Sequence, residues 1–305
     1  MSDFKLSTPV AFIIFNRPDT TERVFAEIAK AKPSKLLIVA DGARTNKVGE
    51  AEKVAATRDI IQRVDWDCEV FTSFSEVNLG CKQRVSSGID WVFQQVEEAI
   101  ILEDDCLPDP TFFRFCQEML ERYKNDQRIG MISGDNFQFG RRRNNDSYYF
   151  SKYVHIWGWA TWRDRWQSSY DVSLKKWPAI RDSDSLEDMI GNKQEATSWA
   201  NTFERVYNGE IDTWDYQWVF ANWIEGRISI MPKNNLISNV GFRVDATHTI
   251  ESGMFANMPV THISFPLTHP LGVFRSIQED KLSQQSFFKK SFKAWLCNKI
   301  ARCIR

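Results

Sequence analysis

Short apolar runs alternate with amphipathic stretches along the first half of the chain. Pro9-Val10-Ala11-Phe12-Ile13-Ile14-Phe15 is almost wholly apolar, as expected of a central strand covered on both faces. Asn16-Arg17-Pro18 ends it. Asp19, with Glu22 three residues on, forms a capping box for a helix whose buried stripe is Val24, Ile28 and Ala31. Pro33 stops that helix, and Lys35 to Ala40 forms the next strand, leading into Asp41-Gly42. A helix over about 49–63 and a strand at Cys68-Glu69-Val70-Phe71-Thr72 repeat the unit. The loop Asn78-Leu79-Gly80-Cys81-Lys82-Gln83-Arg84 opens a helix with Val85, Ile89, Val92, Phe93 and Val96 at 3.6-residue spacing. Ala99-Ile100-Ile101-Leu102 is again a buried strand. Asp109 and Pro110 then make an N-cap and N1 pair for a helix with Phe112, Cys116, Met119, Leu120 and Tyr123 inward. Ile129 to Gly134 closes the series as a further strand. The alternation βαβαβαβαβ predicts an α/β fold with a mainly parallel sheet flanked by helices.

The second half differs in character. Nine of the twelve tryptophans lie between Trp157 and Trp223, including Trp157-Gly158-Trp159-Ala160-Thr161-Trp162. Clustered rings beside glycine suit either a core or a platform on which a sugar stacks. Trp214-Asp215-Tyr216-Gln217-Trp218 sets a carboxylate among rings, where burial moves it towards the pKa of a general base. The polar stretch 181–198 reads as a surface excursion or loop-helix. At the end, Phe288, Phe292, Trp295, Leu296, Ile300, Cys303 and Ile304 recur at three- and four-residue steps among lysines and arginines. That is a basic amphipathic helix of the kind that lies on a membrane or packs on an acidic protein surface.

Composition narrows the classes. The chain has 305 residues, 43% of them hydrophobic and 26% charged, which supports a sizeable core. A net charge of −1 argues against a nucleic-acid binder. The last 25 residues hold seven Lys or Arg and no acid, which leaves the remainder at −8. There is no apolar run of 18 residues and no signal-peptide pattern at the start, so a cytoplasmic protein is expected, peripheral on the membrane's inner face if the tail docks there. Six cysteines without CxxC spacing read as free thiols.

The candidate chemistry lies where strands end. Glu103-Asp104-Asp105 follows a buried strand at once. Alternation along an extended strand would put Glu103 and Asp105 on one face and Asp104 on the other. Three carboxylates there need a cation or donors. Oxygen ligands of this kind suit Mg2+ or Mn2+ carrying phosphates. Arg17 and Asp41 also follow strand ends, where open α/β sheets bind ligands. Lys82 and Arg84 sit at a helix N-terminus, where they could meet an anion.

Phe15-Asn16-Arg17, Ala40-Asp41-Gly42, Glu103-Asp104-Asp105, Trp157-Gly158-Trp159 and Trp214-Asp215-Tyr216-Gln217-Trp218 together resemble the motifs of one family, in its order and rough spacing. It is the nucleotide-diphospho-sugar transferases of GT-A fold, in particular relatives of the mannosyl-glycoprotein β-1,2-N-acetylglucosaminyltransferase. The resemblance spans about residues 8–250. Asn78-Leu79-Gly80 with Arg84 is similar to the N-x-G-x-x-x-R loop of inverting members. It implies a GT-A domain over 1–275, with a nucleotide-sugar-binding half (1–140) and a Trp-rich acceptor half (141–275), followed by the tail 276–305.

By the same resemblance Arg17 meets the nucleotide or diphosphate, and Asp41 the uracil or ribose. Glu103 and Asp104 orient the ribose and donor sugar, and Asp105 ligates Mn2+ or Mg2+. Asn78, Lys82, Arg84, Trp159 and Trp214 belong to the donor site. Asp215 matches the first acid of the family's Trp-Asp-Asp-Trp segment and becomes the base, although Tyr216 stands where the second acid would be. Gly241-Phe242-Arg243-Val244-Asp245-Ala246-Thr247-His248 resembles a loop that orders over bound donor, with His248 as a metal ligand, a phosphate partner or a plain loop histidine. The implied activity is inverting transfer of a sugar, from a UDP-sugar such as UDP-GlcNAc, to a saccharide or lipid-linked acceptor in cell-surface polysaccharide synthesis. An inactive carbohydrate- or nucleotide-binding module and a metal-dependent nucleotidyltransferase remain as alternatives, since fold alone does not settle function.

Overall fold

Strand parity organises the centre of the molecule. The computed structural model describes residues 4–141, 144–242 and 255–285. Its first half runs β1 (Val10–Ile14), α1 (Pro18–Ala31), β2 (Lys35–Ala40), α2 (Glu50–Asp59, extended by a 3-10 turn over Ile60–Arg63), β3 (Glu69–Phe74), α3 (Gly80–Gln95), β4 (Glu98–Glu103), β5 (Cys106–Pro108), α4 (Thr111–Tyr123) and β6 (Ile129–Ser133). The rest comprises β7 (Tyr148–Ser151), β8 (Trp159–Trp162), α5 (Arg163–Ser169), α6 (Trp177–Arg181), α7 (Ser185–Ile190), α8 (Lys193–Tyr207), α9 (Asp215–Ile224), β9 (Ile228–Pro232), β10 (Ile237–Asn239) and α10 (Ile277–Ser283).

Eight strands form one sheet in the order β3-β2-β1-β4-β8-β6-β9-β7. The pairs β3–β2, β2–β1, β1–β4 and β6–β9 are parallel, whereas β8 and β7 run against their neighbours. The expected mixed, mainly parallel α/β sheet is therefore present. It crosses the boundary drawn at 140, because β7, β8 and β9 lie in the same sheet as β1 to β4.

Alternate residues of each central strand enter different cores. Val10, Phe12 and Ile14 of β1, with Ile100 and Leu102 of β4, meet α1 and α4 on one side. Ala11, Ile13, Ala99 and Ile101 meet Val85, Ile89, Trp159, Trp166 and Trp218 on the other. Burial on both faces is why these strands are continuous apolar runs in the sequence.

Several local expectations shift. The N-cap of α1 is Arg17, with Pro18 inside the first turn and no side-chain cap, so Asp19 and Glu22 form no capping box. Asp109 acts one residue outside its predicted register. Pro110 is the N-cap of α4, and the Asp109 carboxylate accepts from the Thr111 amide at 2.9 Å. The stretch 181–198 is not a simple surface excursion. It contains α7 and the start of α8, whose Leu186, Ile190 and Ala196 pack with Trp177, Trp199, Phe203 and Trp223 into a third core. Residues 276–285, assigned above to the tail, belong to the packed body, since α10 lies on β7 and Ser276 N donates to Phe150 O at 2.8 Å. The basic stretch 286–305 lies outside the described residues. No helix among the described residues is long and apolar enough to cross a membrane. Cys68, Cys81, Cys106 and Cys116 are free thiols.

The two long edges of the sheet differ. The chain over 268–276 runs beside β7 through Ser147 N to Thr268 O at 2.8 Å, whereas among the described residues β3 pairs only with β2.

A buried ion pair ties the third core to the sheet. Lys152 Nζ meets Glu195 Oε2 at 2.8 Å with both side chains under a tenth exposed, and Tyr153 Oη donates to Glu195 Oε1 at 2.7 Å. Removing one partner strands a buried charge, whereas an apolar pair of similar volume does not. Lys152→Met alone should cost about 3–5 kcal/mol in urea unfolding, and adding Glu195→Leu should restore most of it. An equal loss in the double variant would show that packing, and not charge, sets the cost.

Candidate active site

The acidic triplet sits at the carboxyl end of β4, between β1 and β8. Glu103 is the last strand residue and continues the parity of Ala99 and Ile101, so it faces the side of α3 and α9. Strand geometry ends there, because Asp104 and Asp105 form a turn. The alternation expected for Asp105 therefore fails, and both aspartates turn to the same cation. Arg17 Nη1 lies 2.7 Å from Asp105 Oδ2 and 3.6 Å from Asp104 Oδ1. The Phe15 amide also donates to Asp104 Oδ2 at 3.1 Å. Arg17 reaches this position because β1 and β4 are parallel neighbours in register, so their carboxyl ends emerge together.

The electrostatics follow from crowding. Burial, then Asp105 and Asp104, then Asp215 push the Glu103 carboxyl well above its usual range. Burial and Asp105 push Asp104 up to about 7, against the pull of Arg17 and the Phe15 amide. Burial works against the charge on Arg17, but Asp104 and Asp105 outweigh it and raise its pKa.

A small antiparallel ladder, β5 with β10, clamps the exit of the triplet. Val240 N donates to Asp105 O at 2.8 Å. The next residue must be glycine, since a Cβ on Gly241 would lie 2.0 Å from Asp105 Oδ2. His248 and the rest of 243–254 lie outside the described residues.

The end of β2 supplies a second carboxylate with a different task. Asp41 accepts from the amides of Leu79 (2.9 Å) and Gly80 (3.0 Å) and from Asn78 Nδ2 (3.0 Å). It thus fixes the loop that opens α3, and Asn78 also donates to Gly42 O at 2.8 Å. The loop passes so close that a Cβ on Gly42 would lie 2.5 Å from the Val77 carbonyl carbon. Arg84 is buried and donates to Ala40 O at 3.1 Å and Ser73 Oγ at 2.9 Å. It straps β2 to β3, so its role is bracing the sheet and not meeting an anion. Lys82 is half-buried in the first turn of α3 and forms no ion pair among the described residues.

Asp215 is the first residue of α9, half-buried, with Thr213 Oγ1 donating to it. A helix N-terminus favours a negative charge there. Glu103 and Asp215 lie close enough for the charge of Asp215 to act on the Glu103 carboxyl. Both push the Cys81 thiol up, after burial and together with Asp212 and Asp41. Cys81, half-buried at the start of α3, thus feels the charge of all four carboxylates.

The tryptophans lie beneath this charged edge, inside the core. Trp159 and Trp214 are 0% and 2% exposed. They stack on each other at 5.8 Å and 21°, with Trp166 and Trp218 closing the cluster. Neither ring has a face open to a sugar, which corrects the expectation that they contact the donor. Trp166 Nε1 is held by Asp90 at 2.7 Å, and Tyr170 Oη donates to Trp214 O at 3.0 Å just before Asp215.

Sequence reasoning missed the brace under Arg17. Asn16 Nδ2 donates to Glu50 Oε1 at 2.9 Å, and Arg44 N donates to Glu50 Oε2 at 2.7 Å. These residues come from three segments, and no spacing rule links them. It also missed Asp135, just after β6, which is 1% exposed and accepts from Trp157 N at 3.0 Å.

Among the described residues, no three His, Cys, Asp or Glu side chains converge as metal ligands. Asp105 presents a partly exposed carboxylate beside Arg17. Its chemistry fits a hard cation that takes its other ligands from phosphate and water.

No protein-family model matches the chain, and no curated protein matches it. Among solved structures, a UDP-glucose pyrophosphorylase complexed with UDP-glucose is similar at 10% identity with a TM-score of 0.24. The match takes in 48% of this chain and 64% of that one, and a likeness of this size carries no argument about chemistry.

Arg44 and the Asn16 amide hold Glu50 down to about 2, against burial. A carboxylate with a lowered folded pKa stabilises the protein above about pH 4.5, and that contribution is lost as pH falls towards 2. Glu50→Gln should cost about 1–3 kcal/mol at neutral pH, the upper part discounted because Arg44 is partly exposed. The variant's acid limb should also be flatter in urea titrations at several pH values. An unchanged acid limb would show that Glu50 does not drive it.

Proposed function

We propose that the chain is a glycosyltransferase. It moves a sugar, with inversion, from a nucleotide-diphosphate donor such as UDP-GlcNAc to a hydroxyl of a saccharide or lipid-linked acceptor. One observation supports this above others: a guanidinium and an acidic triplet at the carboxyl edge of β1 and β4 lie within electrostatic reach of a separate carboxylate at the N-terminus of α9. A diphosphate leaving group needs cations, and an acceptor hydroxyl needs a base on the other side of the anomeric carbon.

Arg17 lies at the edge of β1 ready to exchange Asp105 for a phosphate oxygen, and Lys82 adds a second cation from α3. Asp105 would hold a Mn2+ or Mg2+ ion, which when bound neutralises charge developing on the departing diphosphate. Glu103 and Asp104, at the end of β4 beside Asp105, orient the hydroxyls of the ribose and donor sugar. Asp41 acts indirectly by fixing the Asn78 loop on the nucleotide side. Asp215 accepts the proton of the acceptor hydroxyl as the new C–O bond forms. The bond from the anomeric carbon to the diphosphate breaks at the same time. The product is therefore UDP and not pyrophosphate, which separates this reaction from nucleotidyl transfer.

Asp105→Ala should abolish Mn2+-dependent UDP binding in calorimetry while the thermal melt stays cooperative. Unchanged UDP affinity would overturn the assignment of Asp105.

Asp215→Asn should slow UDP release from a turned-over UDP-sugar by about 10²–10⁴-fold, the usual cost of losing a general base, with UDP affinity retained. Transfer at the wild-type rate would move the base to another acid, the exposed Asp212 beside Gly80 being the nearest at hand.

A further inference from the structure

From Phe255 to Arg305 the chain contains two acids, Glu279 and Asp280. Both are buried, at 7% and 2% exposure. Asp280 accepts from Ser151 Oγ at 2.6 Å and pairs with Arg275. Helix α10 is thus inverted relative to an ordinary surface helix, which turns its apolar stripe inward. Its carboxylates and Ser283 face the protein, while Ile277 is 56% exposed and Lys281 points to water. Just before it, Leu271 and Phe274 are 107% and 66% exposed. Arg128, paired with Asp126, borders the same stretch through a 3.4 Å contact from its guanidinium to Val273 O.

Three large apolar side chains within seven residues, bordered by cations and free of exposed acids, do not serve a water-facing surface. Exposed apolar clusters of this kind mark interaction sites. The sequence that follows, 286–305, carries six Lys or Arg and no acid, interleaved with Phe, Trp, Leu and Ile. Folding that tail back onto the patch would set its cations against Lys281 and Arg128, and a second copy would meet the same like charges. An anionic surface with an apolar interior complements all of these groups at once.

We propose that the surface formed by residues 271–281 docks the protein on an anionic lipid bilayer. Leu271, Phe274 and Ile277 enter the acyl boundary, and Lys281 and Arg128 meet the headgroups. The proposal stands apart from the reaction proposed above and does not depend on it.

The test is co-sedimentation of the full chain with vesicles of phosphatidylcholine alone and of phosphatidylcholine mixed with phosphatidylglycerol. Binding should appear with the anionic vesicles only and should weaken as salt rises, because screening reduces the attraction. Leu271→Ser with Phe274→Ser, at exposed positions with the tail intact, should lower vesicle affinity by about tenfold or more while thermal stability is kept. Leu271→Ser alone should give a smaller loss in the same direction, and provides the reading should the double variant misfold. Equal binding to neutral vesicles, no binding to anionic ones, or wild-type binding by both variants would overturn the proposal. So would a concentration-dependent dimer that the serine variants dissolve, since the patch would then belong to a second copy.

Discussion

Negative charge at the end of a fully buried strand is the constraint around which the rest of this structure is arranged. β4 carries Ile100, Ile101 and Leu102 through the middle of the sheet with no exposure and then delivers three carboxyls in succession. Without a cation these groups would repel one another and resist burial. Arg17 answers that need from the neighbouring strand end, and the Asn16–Glu50–Arg44 brace holds its segment in place. The Arg17–Asp105 contact is only partly buried, and a partly exposed ion pair exchanges partners more readily than a buried one.

The aromatic half is the mechanical counterpart of this charged edge. Trp159, Trp166, Trp214 and Trp218 pack with ring separations of 5.1–6.4 Å, and contacts of this type add about 0.5–1.5 kcal/mol per pair beyond burial. Trp214 immediately precedes Asp215, so rigidity in the cluster fixes the start of α9 and the position of its first carboxylate. The aromatic density of the sequence is thus spent on holding an acid still.

Much of the fold is legible in the sequence because the central strands bury both faces and leave unbroken apolar runs. The strand-end location of Arg17, Asp41 and Glu103-Asp104-Asp105 is legible for the same reason. Parity beyond Glu103 is not, since it depends on where the strand yields to a turn. The third core was hidden as well, because Leu186, Ile190 and Ala196 are spaced through a stretch dominated by charged and polar residues. Nothing in a Trp-rich segment distinguishes a ring covered on both faces from one left open. Contacts such as Asn16 to Glu50 join segments that only the folded chain brings together.

The sheet's asymmetric edges have a consequence for how the protein survives in a crowded solution. One margin is sealed by its own chain beside β7, but among the described residues no strand pairs with the outer edge of β3, where Val70 and Phe74 are exposed. An open margin of this kind is a template on which foreign strands can grow. Here Lys35 stands over the Phe71 ring at 5.2 Å and Arg58 over Phe74 at 4.7 Å. The two cations place charge where an incoming strand would have to lay its side chains. The fold therefore guards its growing end against polymerisation with side chains from β2 and α2 and needs no added cap.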